Sequence, residues 1–258
     1  MGVIIAVTNQ KGGVGKTTTS INLAYCLNKM GKRVLLVDFD PQGNATSGLG
    51  IDKRNLDLTI LNVIQQEVEA HQAVLNTQYK NLDLIASTPE LANAEVELAK
   101  AERRFVRLKL ALAKLDSYDY IIIDSPPSLS LLTVNALIAS RFVLLPVQAE
   151  FYAMEGLGQL LETMKLIRKG LNPTLSTVGV LVTMMDTRTS LSKQVYEEVK
   201  KHFPNEVFDT VIPRNVRIAE APSHGVPVGD YDGWSKGARS YKALAKEVVK
   251  RVEESGAV

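Results

Sequence analysis

Residues 9–19 read NQKGGVGKTTT and follow directly on the apolar run GVIIAV. The glycines of Lys11-Gly12-Gly13-Val14-Gly15 allow the backbone to curl until successive N–H groups point inward. A helix beginning near Gly15 adds its positive end to the same cavity. The chemistry implied is the binding of a polyphosphate. Lys16 is placed to reach the β- and γ-phosphates and Thr18 to meet the α-phosphate. Thr17 offers its hydroxyl to Mg²⁺, a hard cation that takes oxygen ligands and keeps much of its water. The order of strand, glycines, Gly-Lys-Thr and helix matches the pattern GxxxxGK[ST] with one departure: Gln10 stands where the first glycine belongs. A second lysine, Lys11, follows it, so the loop carries one more cation than phosphate binding requires.

Two other segments place carboxylates where they can serve the same site. RVLLVDFDPQGN (33–44) ends an apolar run at Asp38 and then sets Asp40 before Pro41, where a carboxylate can orient or deprotonate a water in line with the γ-phosphate. YDYIIIDSPPS (118–128) puts Asp124 at the end of a second run, in position to hold Mg²⁺ through water, and Pro126-Pro127 stop the strand. Asp119 is expected on the surface. His71, His202 and His224 share no metal-ligand spacing, and the only cysteine, Cys26, excludes both a disulfide framework and a cysteine-based metal site.

The elements that must position these residues are legible as short Val- and Ile-rich runs alternating with segments of helical period. Strands are predicted at Val3–Thr8, Arg33–Asp38, Leu82–Ala86, Tyr120–Asp124, Val143–Val147, Val178–Thr183 and Val207–Ile212. Runs apolar on both faces suit buried parallel strands with crossover helices. Helices are predicted at Lys16–Met30 (ending at Gly31), from Pro89 toward Leu115, through Asn135 toward Ser140, and at Gly156–Arg168. The fold class expected is α/β, a doubly wound and mostly parallel sheet with helices on both faces, built as a single domain over residues 1–258. In such sheets ligands bind at the carboxyl ends of the strands, where the glycine loop lies. With 45% hydrophobic and 22% charged residues, the composition is that of an ordinary globular chain, and no run approaches the ~20 apolar residues of a membrane helix. A formal charge of +2 means that any nucleic-acid site must be a local patch.

KGGVGKT resembles the deviant Walker A loop of the ParA/MinD family of P-loop ATPases. In that family the additional lysine crosses a dimer interface to the phosphates of ATP held by the other subunit. The resemblance implies that Lys11 makes ATP a bridge between two copies, coupling dimerisation to the nucleotide state. DPQ resembles the family's switch I, with Asp40 supporting hydrolysis and reaching the metal through water. DSPPS resembles switch II. PVQAEFYAMEGL (146–157), LVTMMDTRT (181–189) and VIPRNVRIAEAPSHG (211–225) are similar to the small chromosomal ParA subgroup, often called Soj. There the last stretch borders the adenine, which implies Pro213 and Asn215 at the base.

The same resemblance implies a partition ATPase that uses ATP and Mg²⁺, forms an ATP-bound sandwich dimer, and holds double-stranded DNA without sequence preference. A ParB-type protein would stimulate hydrolysis and release it, in a cytoplasmic, nucleoid-associated setting. Arg188 and Arg217 resemble the subgroup's DNA-contacting arginines. Lys236, Arg239, Lys242 and Lys246 recur on a predicted terminal helix at intervals that keep their charge to one side. The chain begins at its first strand, so no operator-reading helix-turn-helix is expected. Its end, KEVVKRVEESGAV, has only small aliphatics and becomes acidic, unlike the basic amphipathic tail of the membrane-positioning MinD type. A P-loop ligase or kinase would need a substrate acid or base outside the phosphate site, and none is evident. A nitrogenase-reductase-like carrier would need more thiolates than Cys26.

Overall fold

The computed structural model describes residues 2–150 and 157–256. Its strands are β1 Val3–Val7, β2 Val34–Asp38, β3 Val74–Asn76, β4 Leu82–Ile85, β5 Tyr120–Asp124, β6 Phe142–Gln148 and β7 Ser176–Thr183. The α-helices are α1 Lys16–Lys29, α2 Asn44–Gly48, α3 Ile60–Gln65, α4 Leu91–Lys100, α5 Arg107–Leu112, α6 Leu131–Ala139, α7 Leu157–Lys169, α8 Ser190–His202, α9 Val216–Glu220, α10 Val228–Tyr231 and α11 Lys236–Glu254. The strands form one seven-stranded sheet in the order β3-β4-β2-β5-β1-β6-β7, parallel throughout except where β3 pairs antiparallel with β4.

Burial explains the architecture. Every residue of β1, β2 and β5 is buried, and alternate residues feed opposite layers. Ile5 and Val7 pack into the core beneath α1 and α11, whereas Ile4 and Ala6 pack with Leu91, Leu108 and Leu132 of the helices on the other face. A third cluster fills the space between β6, β7, α7 and α8. The register then aligns the functional strand ends: Asp124 pairs across to Val7 on one side and to Asp38 on the other.

Three expectations change. Val207–Ile212 is not a strand. It runs beside β7 and makes an isolated parallel bridge at Val180–Val207, but the N–H groups of Asp209 and Thr210 donate instead to the Glu247 carboxylate of α11 at 2.9 and 3.1 Å. The helix expected from Pro89 to Leu115 is two helices, α4 and α5, broken where Arg103 turns left-handed (φ 56°). The buried Asn135 side chain satisfies that break, donating to the Arg104 carbonyl at 2.7 Å and accepting from the Leu108 N–H at 3.4 Å. The short edge strand β3 was not anticipated. Of the stretch 146–157, residues 151–156 lie outside those described, and so does the expected helix start at Gly156.

Candidate nucleotide site

The glycine loop leaves the C-terminal end of β1 and turns into α1. Gly13 and Gly15 both adopt positive φ, 74° and 86°, a region where a Cβ is strained, and Gly15 is the N-cap of α1. A Cβ placed on Gly12 or Gly13 would meet nothing, so the loop faces open space large enough to approach a ligand. Two side chains pin this curl. Asn9 donates through Nδ2 to the Pro146 carbonyl at 2.7 Å and accepts the Lys11 N–H at 3.0 Å. Thr183, the last residue of β7, donates to the Val14 carbonyl at 2.8 Å. Both are almost fully buried. Neither emerged from motif matching, although a polar residue closing an apolar strand, as Thr183 does, was the available signal.

Lys16 is buried in the first turn of α1, and its Nζ donates to the Lys11 carbonyl at 2.9 Å. Burial pulls its pKa down, opposed by the charges of Asp124 and Asp40. The Lys11 side chain makes no hydrogen bond or ion pair among the described residues, in contrast to that of Lys16.

The three aspartates lie close to one another but differ in their partners, with the Asp40 N–H donating to Asp38 Oδ1 at 3.3 Å. Asp38 is fully buried and its Oδ2 accepts from both the N–H and the hydroxyl of Thr46, at 2.8 and 2.7 Å, which ties β2 to α2. Asp40 lies in the loop between them, where its Oδ1 accepts the Gln42 N–H at 2.9 Å and its carbonyl accepts the Gly43 N–H. Asp124 is fully buried at the end of β5. Ser20 donates to its Oδ1 at 2.9 Å and the Thr17 side chain lies against the same carboxylate, while Oδ2 has no hydrogen-bond partner among the described residues. Burial, and then the neighbouring carboxylate charges, raise the pKa of both Asp38 and Asp124. A buried, half-satisfied carboxylate beside a threonine hydroxyl is an arrangement that a hydrated Mg²⁺ completes. Among the described residues no group of three or more His, Cys, Asp or Glu side chains forms a metal cage.

Beside Gly15 and Thr18 opens a cavity of about 350 Å³ lined by Ile212, Pro213, Asn215 and Tyr241, among others. Pro213 and Asn215 thus lie together at the end of the loop nearest Thr18. Asn215 also caps α9, its Oδ1 accepting the Arg217 N–H at 3.0 Å. The expected basic residues are exposed, and the Met185–Pro213 bridge sets the segment carrying Arg188 beside the one carrying Arg217. Both arginines already have carboxylate partners: Arg188 pairs with Asp186 at 2.8 Å and Arg217 with Glu220 at 2.9 Å and Asp232 at 3.4 Å. Lys236, Arg239 and Lys242 lie on the exposed side of α11 with no ion pair among the described residues.

A mostly parallel sheet with a lysine-rich glycine loop at a strand end and two buried aspartates closing adjacent strands defines a P-loop ATPase of the two-lysine type. Comparison with known proteins narrows the class. A family model described as an AAA domain matches residues 2–177. The chain is 58% identical over 249 residues to the sporulation initiation inhibitor protein Soj of Bacillus subtilis, covering 96% of this chain and 98% of that protein. It is 50% identical to the chromosome partitioning protein ParA of Myxococcus xanthus, over 97% of this chain and 89% of that one. The cobyrinic acid a,c-diamide synthase of Mycobacterium smegmatis, solved with ADP and magnesium, superposes with a TM-score of 0.87 at 38% identity, over 99% of this chain and 97% of the other. The chain belongs to the ParA/Soj family of chromosome-partitioning ATPases.

Proposed function

We propose that this protein is a partition switch whose ATP-bound dimer holds DNA without sequence preference and lets go when hydrolysis is stimulated by a ParB-type partner. ATP and Mg²⁺ are its cofactors. The loop amides from Lys11 to Gly15 and the Lys16 ammonium bind the phosphates, Thr18 meets the α-phosphate, and Pro213 and Asn215 border the base. Thr17 directly, and Asp40 and Asp124 through water, would hold Mg²⁺, which would supply positive charge to the phosphate oxygens. Asp40 orients the attacking water and accepts its proton.

The observation that carries the reading is the contrast between the two loop lysines. Lys16 is buried and already bonded within its own loop, whereas the half-buried Lys11 side chain has no hydrogen-bond or ion-pair partner among the described residues. A cation so placed completes its interactions on the phosphates of a facing subunit. Two copies then present two sets of Arg188, Arg217, Lys236, Arg239 and Lys242, doubling the phosphate contacts and making DNA affinity steeply salt-dependent. The setting in keeping with this is the cytoplasm, on the nucleoid. Among the described residues no helix is long and apolar enough to cross a membrane.

The test is binding of the Asp40→Ala protein to a duplex of arbitrary sequence with ATP, with ADP and without nucleotide, at two salt concentrations, with molecular mass followed in parallel. An ATP-only dimer with salt-sensitive DNA affinity is the expected result. An ATP-bound dimer without DNA affinity would sink the DNA reading and direct attention to a lipid surface or a small-molecule substrate.

A further inference from the structure

The single tryptophan of the chain, Trp234, is 91% exposed, more than any other large apolar side chain described. Indoles are rarely left so bare, because a Trp side chain is among the largest apolar surfaces a protein can bury. Its main chain is held in place. Asp232 accepts the Trp234 main-chain N–H at 3.2 Å and pairs with Arg217 at 3.4 Å, which joins the Trp234 turn to α9. Ser235 then caps α11, accepting the Ala238 N–H at 3.1 Å, and Gly237 packs so closely on Ile218 that a Cβ there would lie 2.5 Å from it. Val216, 69% exposed, adds apolar surface next to Arg217.

The charges that follow this indole along α11 bear on its occupant, the nearer Asp232 being already paired with Arg217. Lys236, Arg239 and Lys242 follow on the exposed side of α11, all cationic and without an ion pair among the described residues. Protein interfaces are depleted in lysine at their cores. The apolar face of α11 is already spent on Tyr241, Leu244, Ala245 and Val248, all buried, which leaves none to enter a lipid surface. Cations in a row behind a bare aromatic ring are what a polyanion with exposed π-faces requires, and that is a nucleic acid with unpaired bases.

We propose that Trp234 stacks on unpaired bases and gives the α9–α11 surface a preference for single-stranded DNA over what its cations alone would confer. The inference rests on the reading of α11 as a DNA-binding face. In a duplex the base faces are already stacked, and an indole gains access only by unstacking a step, so its contribution there is small. On a single strand it adds the stacking of one base, worth about tenfold in affinity, at the lower part of the range for such contacts.

Because Trp234 is the sole tryptophan, its fluorescence reports on this surface directly. The experiment titrates ATP-loaded Asp40→Ala protein, after the effect of ATP itself on the emission has been recorded, with an oligothymidine strand and with a duplex carrying the same number of phosphates. Affinities for both are measured again in Trp234→Ala and Trp234→Phe, made in the same background. Quenching by oligothymidine, a roughly tenfold loss of its affinity in Trp234→Ala with most of it kept in Trp234→Phe, and a less than twofold change for the duplex is the expected result. If oligothymidine binds without quenching and Trp234→Ala is unaffected, the inference fails while the DNA reading stands. An equal loss for strand and duplex overturns the preference for unpaired bases. If Trp234→Ala instead no longer dimerises, the surface belongs to a second copy and the inference is wrong. Absence of binding to either nucleic acid overturns the DNA reading and this inference with it.

Discussion

Lys16 Nζ sits 2.9 Å from the main-chain oxygen of Lys11, so the two lysines of the loop are linked before any phosphate arrives. The bond satisfies an ammonium that burial would otherwise leave costly. In the proposed site, phosphate binding would exchange this carbonyl for a charged acceptor. Lys16→Gln retains a donor for the Lys11 carbonyl but not the charge. It is expected to fold with a thermal midpoint within a few degrees of the parent and to bind ATP about 10- to 100-fold more weakly, by titration calorimetry, as expected for loss of a hydrogen bond between charged groups.

The role proposed for Lys11 separates binding from assembly. Its main chain contributes to the loop through the Asn9 contact and the carbonyl given to Lys16, and neither requires its side chain. Lys11→Ala is therefore expected to keep ATP affinity within about threefold, well under the 1.4 kcal/mol that a tenfold change represents. The ATP-dependent dimer should be absent from sedimentation velocity profiles. A variant that dimerised normally with ATP would remove the trans role of this lysine.

Asp40 is placed by its own turn and by the end of β2. Its Oδ1 accepts the Gln42 N–H and its carbonyl the Gly43 N–H, while its own N–H donates to Asp38 Oδ1 at 3.3 Å. Removing the carboxylate loses the Gln42 contact but leaves the two main-chain bonds, to Gly43 and to Asp38. Asp40→Ala is expected to lower the hydrolysis rate by a factor of about 10² to 10⁴, the usual contribution of a general base, while ATP binding and dimer formation persist. Release of phosphate measured under single-turnover conditions tests this without interference from product dissociation.

Much of this site was legible before any coordinates. Strands buried on both faces advertise themselves by continuous Val and Ile, which is why the runs ending at Asp38 and Asp124 were placed nearly to the residue, and glycine spacing carries the loop. What escaped depends on contacts distant in sequence. Thr183 meets Val14 across 169 positions, and Glu247 reaches the N–H groups of Asp209 and Thr210 from α11, turning an apparent strand into an irregular run. The break between α4 and α5 carries no glycine or proline, because a buried asparagine on another helix supplies the partners that a breaker residue otherwise makes unnecessary. Local propensity contains none of this information.

The pairing of Asp38 and Asp124 across adjacent strands places two carboxylates in the protein interior, one of them with an oxygen that no described residue satisfies. Burial raises the pKa of Asp124 above the ordinary carboxylate range, so the folded protein keeps a proton there that the unfolded chain has lost. The native state then binds more protons, and its stability falls as pH rises from the ordinary carboxylate range through neutrality. Asp124→Asn removes that dependence. Without nucleotide, the thermal midpoint of the variant relative to the parent is expected to climb steadily between pH 5 and pH 8.5. With saturating ATP and Mg²⁺ the order should reverse, since the cation stabilises only a folded state that retains the carboxylate, and the gain follows mass action. Scanning calorimetry of both proteins across that range decides the matter. A difference that does not change with pH would mean that the buried carboxylate is already neutralised inside the fold, and that its unsatisfied oxygen is not what the metal answers.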